Sequence, residues 1–483
     1  MTKPTTATEL CDLTATEARR LIGTKEISPV ELVESCIARI EAVDGAVNCM
    51  VTRAYDRARE EAKVAEQMVM DGEELGLLHG LPMGIKDLEA TEGIRTTWGS
   101  LPTKDTVPEA DQGSVAAVRA EGAILLGKTN TPEFGAGANT KNRVFGATGN
   151  PFNPELTCAG SSGGSAVALA TGMVPIASGS DYGGSLRTPA GFCGVVGFRP
   201  SPGTVPAEGK AAALMPWSVL GPMARTVADT ALLLQAQMDD DRRDPFSHLV
   251  DPRLFSSVDG LDLGAIHAAI TPDLGCCPVD KGIADTFKAR TDQFRGVFAE
   301  AQDRAPDMGE IHRVFEIFRG ITFVAMHQER LKNHKDLLGP NVIDNTTRGL
   351  EVTASDVGWA LTEQAKLMRN FIDLFDEVDV LICPAASVSP FPHEQLYVDE
   401  INGEKMPTYM RWLAISYAPT MAMACSAVIP CGVDHKGMPF GLQIMAPNGK
   451  DALVLAVAHA LEKYFAGKAD LMRPVPDFAK LQA

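Results

Sequence analysis

Two Gly/Ser-rich stretches and one upstream lysine hold the residue types that could do chemistry. Gly160-Ser161-Ser162-Gly163-Gly164-Ser165 is followed by Gly179-Ser180-Asp181-Tyr182-Gly183-Gly184-Ser185-Leu186-Arg187, and Lys86 stands earlier in Gly80-Leu81-Pro82-Met83-Gly84-Ile85-Lys86-Asp87. A hydroxyl is a weak nucleophile, so it needs a base and a place for developing negative charge. Glycine lets backbone N–H groups crowd a reacting carbonyl because it has no Cβ and tolerates φ > 0. Serines, bare backbone donors and an amine base together point to acyl transfer on an amide or ester.

Two other spellings compete with this reading. Gly122-Ala123-Ile124-Leu125-Leu126-Gly127-Lys128-Thr129 matches the phosphate-loop pattern, which needs a flexible loop inside it and a helix after it. Here the interior is itself strand-like, and Pro132, Gly135 and Gly137 discourage a helix, so nucleotide binding is not expected. Gly160 to Gly164 also spells G-x-S-x-G around Ser162, a nucleophile elbow if an acid and a histidine follow. Of the nine histidines, His393, His435 and His459 lie late enough, but none has a distinctive context. No HExxH or clustered His/Asp/Glu spacing supports a metal.

Without a histidine the base can be a lysine, as in Ser-Lys variants of the triad. A lysine works only when neutral, and burial lowers its pKa. Lys86 follows Met83-Gly84-Ile85, an apolar run expected inside a sheet. A strand-end lysine paired with Asp87 is the purely structural alternative, and local context does not decide between the two.

Composition narrows the class. The chain has 483 residues, 45% of them hydrophobic, enough for a packed core. Its net charge of −18 argues against direct nucleic-acid binding, which needs clustered Lys and Arg. The ten cysteines form no C-x-x-C pair, and Met1 to Glu9 is polar, with no apolar targeting core. The longest apolar candidate, Ala166 to Ala177, is broken by Gly172 and Pro175, too short to span a bilayer. A cytoplasmic chain with reduced thiols and no membrane contact is expected, and a homodimer is left open.

The elements that must position these residues follow from periodicity. Residues 14–72 read as helical, with Ser28-Pro29 opening a segment and Asp71-Gly72 closing another. From Leu81 to about Pro200, short apolar runs such as Ala123 to Leu126 alternate with Gly-rich turns and helical stretches such as Ser114 to Ala120. That texture predicts an α/β fold with a mixed, mostly parallel-type central sheet covered by helices. Residues 203–224 are turn-rich and 227–238 helical. Helical periodicity dominates from about 280 to 375, Val378 to Cys383 reads as a buried strand, Ala427 to Ile429 and Gly441 to Ile444 as closing strands, and Asp451 to Tyr464 as a last helix. One large domain is expected: residues 1–75 as a helical segment packed on the core, and 76–483 as the catalytic part, with a helical excursion at 280–375.

The stretch 157–190 resembles the signature of the amidase signature family. So do Gly80 to Asp87, Leu126 to Gly135, Gly194 to Pro200 and Pro439-Phe440-Gly441-Leu442-Gln443-Ile444. The resemblance covers nearly the whole chain and is densest over 80–200. It implies a serine amidohydrolase with Ser185 as nucleophile, Ser161 as a bridging serine in a cis peptide, and Lys86 as base, at spacings of 24 and 75 residues. The relay it implies runs from Ser185 through Ser161 to Lys86, with N–H groups of Tyr182, Gly183, Gly184 and Ser185 on the oxyanion. Asp181 and Arg187 would form an ion pair pinning the turn.

No cofactor is implied, and the partner is a small amide with an apolar or aryl body. Met215, Trp217, Phe315, Phe318, Phe323 and Met326 are candidate walls of its pocket, although the same spacing suits plain core. The alternative is the A subunit of a glutamyl-tRNA amidotransferase. That subunit usually has Thr where Tyr182 stands and Gln where Thr188 stands.

Overall fold

The structure, a computed structural model, describes residues 9–482. The polar N-terminal stretch, except for Glu9, lies outside the described residues. Three helices open the chain: α1 (Ala15–Gly23), α2 (Pro29–Val47) and α3 (Tyr55–Asp71). Ser28 caps α2 with Pro29 in the first turn, and the Ser28 N–H donates to Glu31 Oε2 at 2.9 Å, closing a capping box. Leu32, Val33, Cys36, Ile37, Ile40 and Val43 turn one face of α2 into the core. Gly72 ends α3 in the left-handed conformation, as Asp71-Gly72 suggests.

Eleven strands form the central sheet. In chain order they are β1 (Met50–Arg53), β2 (Pro82–Lys86), β3 (Ile124–Thr129), β4 (Ile176–Asp181), β5 (Val196–Arg199), β6 (Val219–Ala224), β7 (His267–Ile270), β8 (Glu300–Asp303), β9 (Val380–Pro384), β10 (Cys425–Val433) and β11 (Pro439–Ala446). Their spatial order is β1-β3-β2-β4-β6-β5-β10-β11-β9-β7-β8. The sheet is mixed, as expected. Parallel pairing is confined to β3-β2-β4 on one flank and β9-β7-β8 on the other, and the remaining six neighbour pairs are antiparallel. The centre is antiparallel because β6 runs against both of its neighbours, β4 and β5, and β10 turns directly back into β11. β1 was not anticipated inside the helical opening: four residues between two helices are too few for a clear alternation.

Two short helices flank the Gly/Ser-rich stretches, α4 (Gly163–Ala170) and α5 (Arg187–Cys193). The helical excursion contains α6 (Lys281–Phe294), α7 (Ile311–His334), α8 (Pro340–Leu350) and α9 (Ala354–Leu374), interrupted by the edge strand β8. After β9 comes α10 (Ala414–Met421), whose Tyr417 stacks on Phe315 of α7 with ring centroids 3.9 Å apart. Among the described residues no helix is long and apolar enough to cross a membrane. All ten cysteines are unpaired, and nine are buried.

The phosphate-loop spelling is explained by packing. Its Gly-Lys-Thr is the end of β3, with Gly127 paired to Arg53 on one side and to Gly84 on the other. Gly127 has φ +148°, and a Cβ there would sit 1.9 Å from the Thr52 carbonyl oxygen. Lys128 is fully buried and donates to Thr91 Oγ1 at 2.7 Å and to the Glu89 carbonyl at 2.5 Å. We expect Gly127→Ala to lower stability by about 2–4 kcal/mol, because β1 must shift off the sheet edge. Urea unfolding followed by circular dichroism measures this, and an unchanged midpoint would show that β1 yields freely.

Candidate active site

Lys86 ends β2, with β3 and β4 parallel to it on either side, so its side chain starts inside the sheet. It is fully buried. Its Nζ lies 2.7 Å from Ser161 Oγ, 2.8 Å from Ser162 Oγ and 2.9 Å from Ser180 Oγ. Three hydroxyls match the three donors of an ammonium, but none carries a charge. Burial therefore dominates and brings the Lys86 pKa down to about 7, with the charges of Glu89 and Asp181 only partly opposing the fall. Asp87 is not its ion-pair partner: the Asp87 carboxylate accepts from the Thr97 N–H and hydroxyl instead.

The two adjacent serines differ in what they have left to give. Ser161 follows Gly160 through a cis peptide bond and borders a cavity of about 820 Å³. Lys86 is the only hydrogen-bond partner of its hydroxyl among the described residues. Ser162 is wholly buried, and its hydroxyl also donates to the Ser180 carbonyl and accepts the Ser180 N–H. So Ser162 Oγ is tied into the floor, while Ser161 Oγ can pass a proton between Lys86 and the cavity.

Ser185 borders the same cavity and is partly exposed. Its carbonyl accepts the Ser162 N–H at 3.1 Å, which joins the two Gly/Ser-rich stretches directly. The turn before it is built around Asp181, at the end of β4. Asp181 Oδ1 accepts the Gly184 N–H at 3.0 Å, and Oδ2 accepts the Leu186 N–H at 3.1 Å. Arg187 grips both carboxylate oxygens, at 2.9 and 3.0 Å, and Arg199 adds a contact at 3.2 Å. Burial alone would raise the Asp181 pKa, but the two guanidiniums and the N–H donors outweigh it and hold the carboxyl well below the usual range. Arg187 Nη1 reaches Gln443 Oε1 at 2.6 Å, so the C-terminal Pro439 to Ile444 block anchors this turn from β11.

Gly184 differs from the sequence expectation. Its N–H is committed to Asp181, so it is not free to hold an oxyanion. The N–H groups of Tyr182, Gly183 and Ser185 have no protein acceptor among the described residues. Gly184 is instead required by space: φ is +106°, and a Cβ would lie 2.4 Å from Ser416 Cβ on α10.

The cavity walls also differ in part. Met215, Phe323 and Met326 line the cavity. Trp217 and Phe318 pack against each other in the core, tilted, with ring centroids 4.2 Å apart, and Phe315 packs between Tyr182 and Tyr417. Leu88, Trp98, Phe134 and Leu220 complete the apolar lining, with Arg319, His327 and Arg330 from α7. These come from separate loops, from β6 and from α7, and had no local signal. Behind Lys86, buried Glu89 was also missed. Its Oε1 accepts from Ser178 Oγ at 2.5 Å, and Ser178 Oγ accepts the Lys86 N–H at 3.0 Å. His393, His435 and His459 do not border the cavity.

A family model described as Amidase matches residues 31–455. An acylamidase of Rhodococcus erythropolis is 31% identical over 93% of this chain and 95% of its own length. The A subunit of the glutamyl-tRNA(Gln) amidotransferase of Geotalea daltonii is 32% identical over 94% of this chain and 98% of its own. The crystal structure of a bacterial aryl acylamidase of the amidase signature enzymes superposes with a TM-score of 0.87 at 29% identity, covering 97% of both chains. The chain belongs to the amidase family, and it is an amide-hydrolysing enzyme.

The Asp181 turn gives a stability test independent of activity. Asp181→Asn leaves two buried guanidiniums without a counter-charge and should cost roughly 3–5 kcal/mol. Denaturant unfolding of the purified variant measures it, and a loss under about 1 kcal/mol would mean that the ion pairs do not hold the turn.

Proposed function

We propose that the protein hydrolyses a small carboxamide through a Ser185 acyl-enzyme, with Ser161 and Lys86 as the proton relay. The observation that carries this is the 2.7 Å contact between Lys86 Nζ and Ser161 Oγ at the wall of the cavity that Ser185 also borders. Neutral Lys86 accepts the Ser161 hydroxyl proton, and Ser161 Oγ takes the proton of Ser185. Ser185 Oγ then bonds to the amide carbon, and the carbonyl electrons move onto oxygen. The free N–H groups of Tyr182, Gly183 and Ser185 stabilise that charge. As the intermediate collapses, the C–N bond breaks and the relay returns the proton to the leaving nitrogen. Water enters by the same relay in reverse roles, releasing the carboxylate and restoring Ser185. A body that is apolar or aryl suits the lining of Trp98, Phe134, Met215, Phe323 and Met326.

A second reading, the A subunit of a glutamyl-tRNA amidotransferase, is favoured by the 32% identity over nearly the full length of both chains. It would use the same three residues on glutamine within a complex. Ammonia release by the purified chain alone, from aliphatic and aryl amides, supports the first reading. Release only with charged tRNA and a partner subunit supports the second.

Under either reading Ser185→Ala lowers kcat by about 10³-fold or more, because nothing else can form the acyl-enzyme. Ser162→Ala removes the floor hydroxyl that Lys86 and the Ser180 backbone share, but not the nucleophile or the relay, and costs on the order of 10-fold. Steady-state rates and a fluorophosphonate adduct mapped by mass spectrometry check both, and an adduct on Ser162 would reassign the nucleophile.

The pH profile follows from the Lys86 ammonium. Only the neutral amine accepts a proton, so kcat/KM should rise with pH through an apparent pKa near 7. The negative charge of Glu89 favours the ammonium. Removing it in Glu89→Gln should lower the Lys86 pKa and move the rising limb to lower pH. A limb that stays in place or moves to higher pH would detach Lys86 from the rate.

A further inference from the structure

One face of α7 forms a wall of the cavity, through Arg319, Thr322, Phe323, Met326, His327 and Arg330. The charge on that lining is one-sided. Among the described residues Lys210, Arg319 and Arg330 border the cavity and no Asp or Glu does, in a chain of net charge −18. Lys210 has its counter-ion in Asp244, 3.4 Å away. Arg319 has no carboxylate partner among the described residues. Its Nε is buried without an acceptor, and Nη2 reaches only the Tyr409 hydroxyl at 3.4 Å.

Arg319 is also held in place. Its guanidinium carbon lies 4.1 Å from the centroid of the Phe323 ring and 5.1 Å from that of Tyr182, which stands three residues before Ser185. Two rings pack against the guanidinium, and the Tyr409 hydroxyl is its one hydrogen-bond acceptor among the described residues, which leaves donors for a carboxylate. Further along the helix, Arg330 donates to the Met326 carbonyl at 2.7 Å and lies 3.4 Å from His327 Nδ1, without an ion pair among the described residues. His327 is buried, and its Nε2 has no partner. Burial brings its pKa down to about 3, so it is neutral, and with Nδ1 accepting from Arg330 its proton stands on Nε2. The α7 wall thus offers unused donors and positive potential with nothing to receive a cation.

We propose that the amide substrate carries a carboxylate, held by Arg319, with Arg330 and His327 extending the same anion-selective wall. This rests on the amidase reading and names its substrate class: an amide whose apolar or aryl body bears an acid and no amine.

The test uses the purified full chain and pairs of amides matched in shape. Each pair is the monoamide of a dicarboxylic acid and its isostere with an acetyl group in place of the carboxylate. The spacers run from two to six methylenes and include a benzene ring, and ammonia release is measured. At least one anionic amide should exceed its isostere by about 10-fold or more in kcat/KM. Arg319→Gln should bring that ratio close to one, and Arg319→Lys should keep part of it. Isosteres that match or beat the acids at every spacer, or a ratio that survives Arg319→Gln, overturn the inference and leave the amidase reading standing. Hydrolysis of no amide of either kind overturns the amidase reading with it. If Arg319→Gln does not fold, the wild-type ratio and its partial loss in Arg319→Lys decide the matter.

Discussion

Everything at this site depends on a lysine placed where an ammonium is costly. Lys86 leaves the end of a strand with neighbours on both sides, and its amine meets three hydroxyls rather than a carboxylate. Hydroxyls satisfy hydrogen bonds without repaying the lost hydration of a charge, so the amine is held near neutrality. The fold serves that purpose directly. The three parallel strands of one flank fix the lysine, the loop before α4 delivers Ser161 and Ser162, and β4 delivers Ser180 and then the Ser185 turn.

The second requirement is a turn whose backbone amides do not collapse onto one another. Asp181 meets it by taking the N–H groups of Gly184 and Leu186, which leaves those of Tyr182, Gly183 and Ser185 unspent. Because Arg187 carries on to Gln443 and Thr420, the turn is braced by β11 and α10, elements more than 200 residues away in sequence. The distant C-terminal block therefore shapes the nucleophile's surroundings without approaching the cavity.

Much of this was legible in the sequence because glycine, proline and serine leave local marks. The two Gly/Ser-rich stretches, the capped opening of α2 and the Asp181–Arg187 pair could be read from neighbours a few residues apart. What could not be read depends on where separate segments meet. Glu89 looks like any acid in a loop until Ser178 and Ser114 close over it. Trp217 and Phe318 look like wall residues until each proves to be packed against the other. Gly184 looked like an oxyanion donor because spacing cannot show that Asp181 folds back onto its N–H. The antiparallel centre of the sheet was hidden for the same reason, since strand direction is set by pairing rather than by composition.

Two fully buried charges, a few residues apart in the fold, are handled in opposite ways, and the contrast explains the site. Asp181 is surrounded by guanidiniums, so its charged form is favoured despite burial and it braces the turn as a carboxylate. Lys86 is surrounded by neutral dipoles, so burial prevails and its proton is loosely held. Exchanging the environments would give a lysine locked as an ammonium and an aspartate that protonates and releases the turn. Burial is common to both residues. The charge of the partner decides which becomes a brace and which can exchange a proton, and the sequence supplies arginine at 187 and 199 for the one and serine at 161, 162 and 180 for the other.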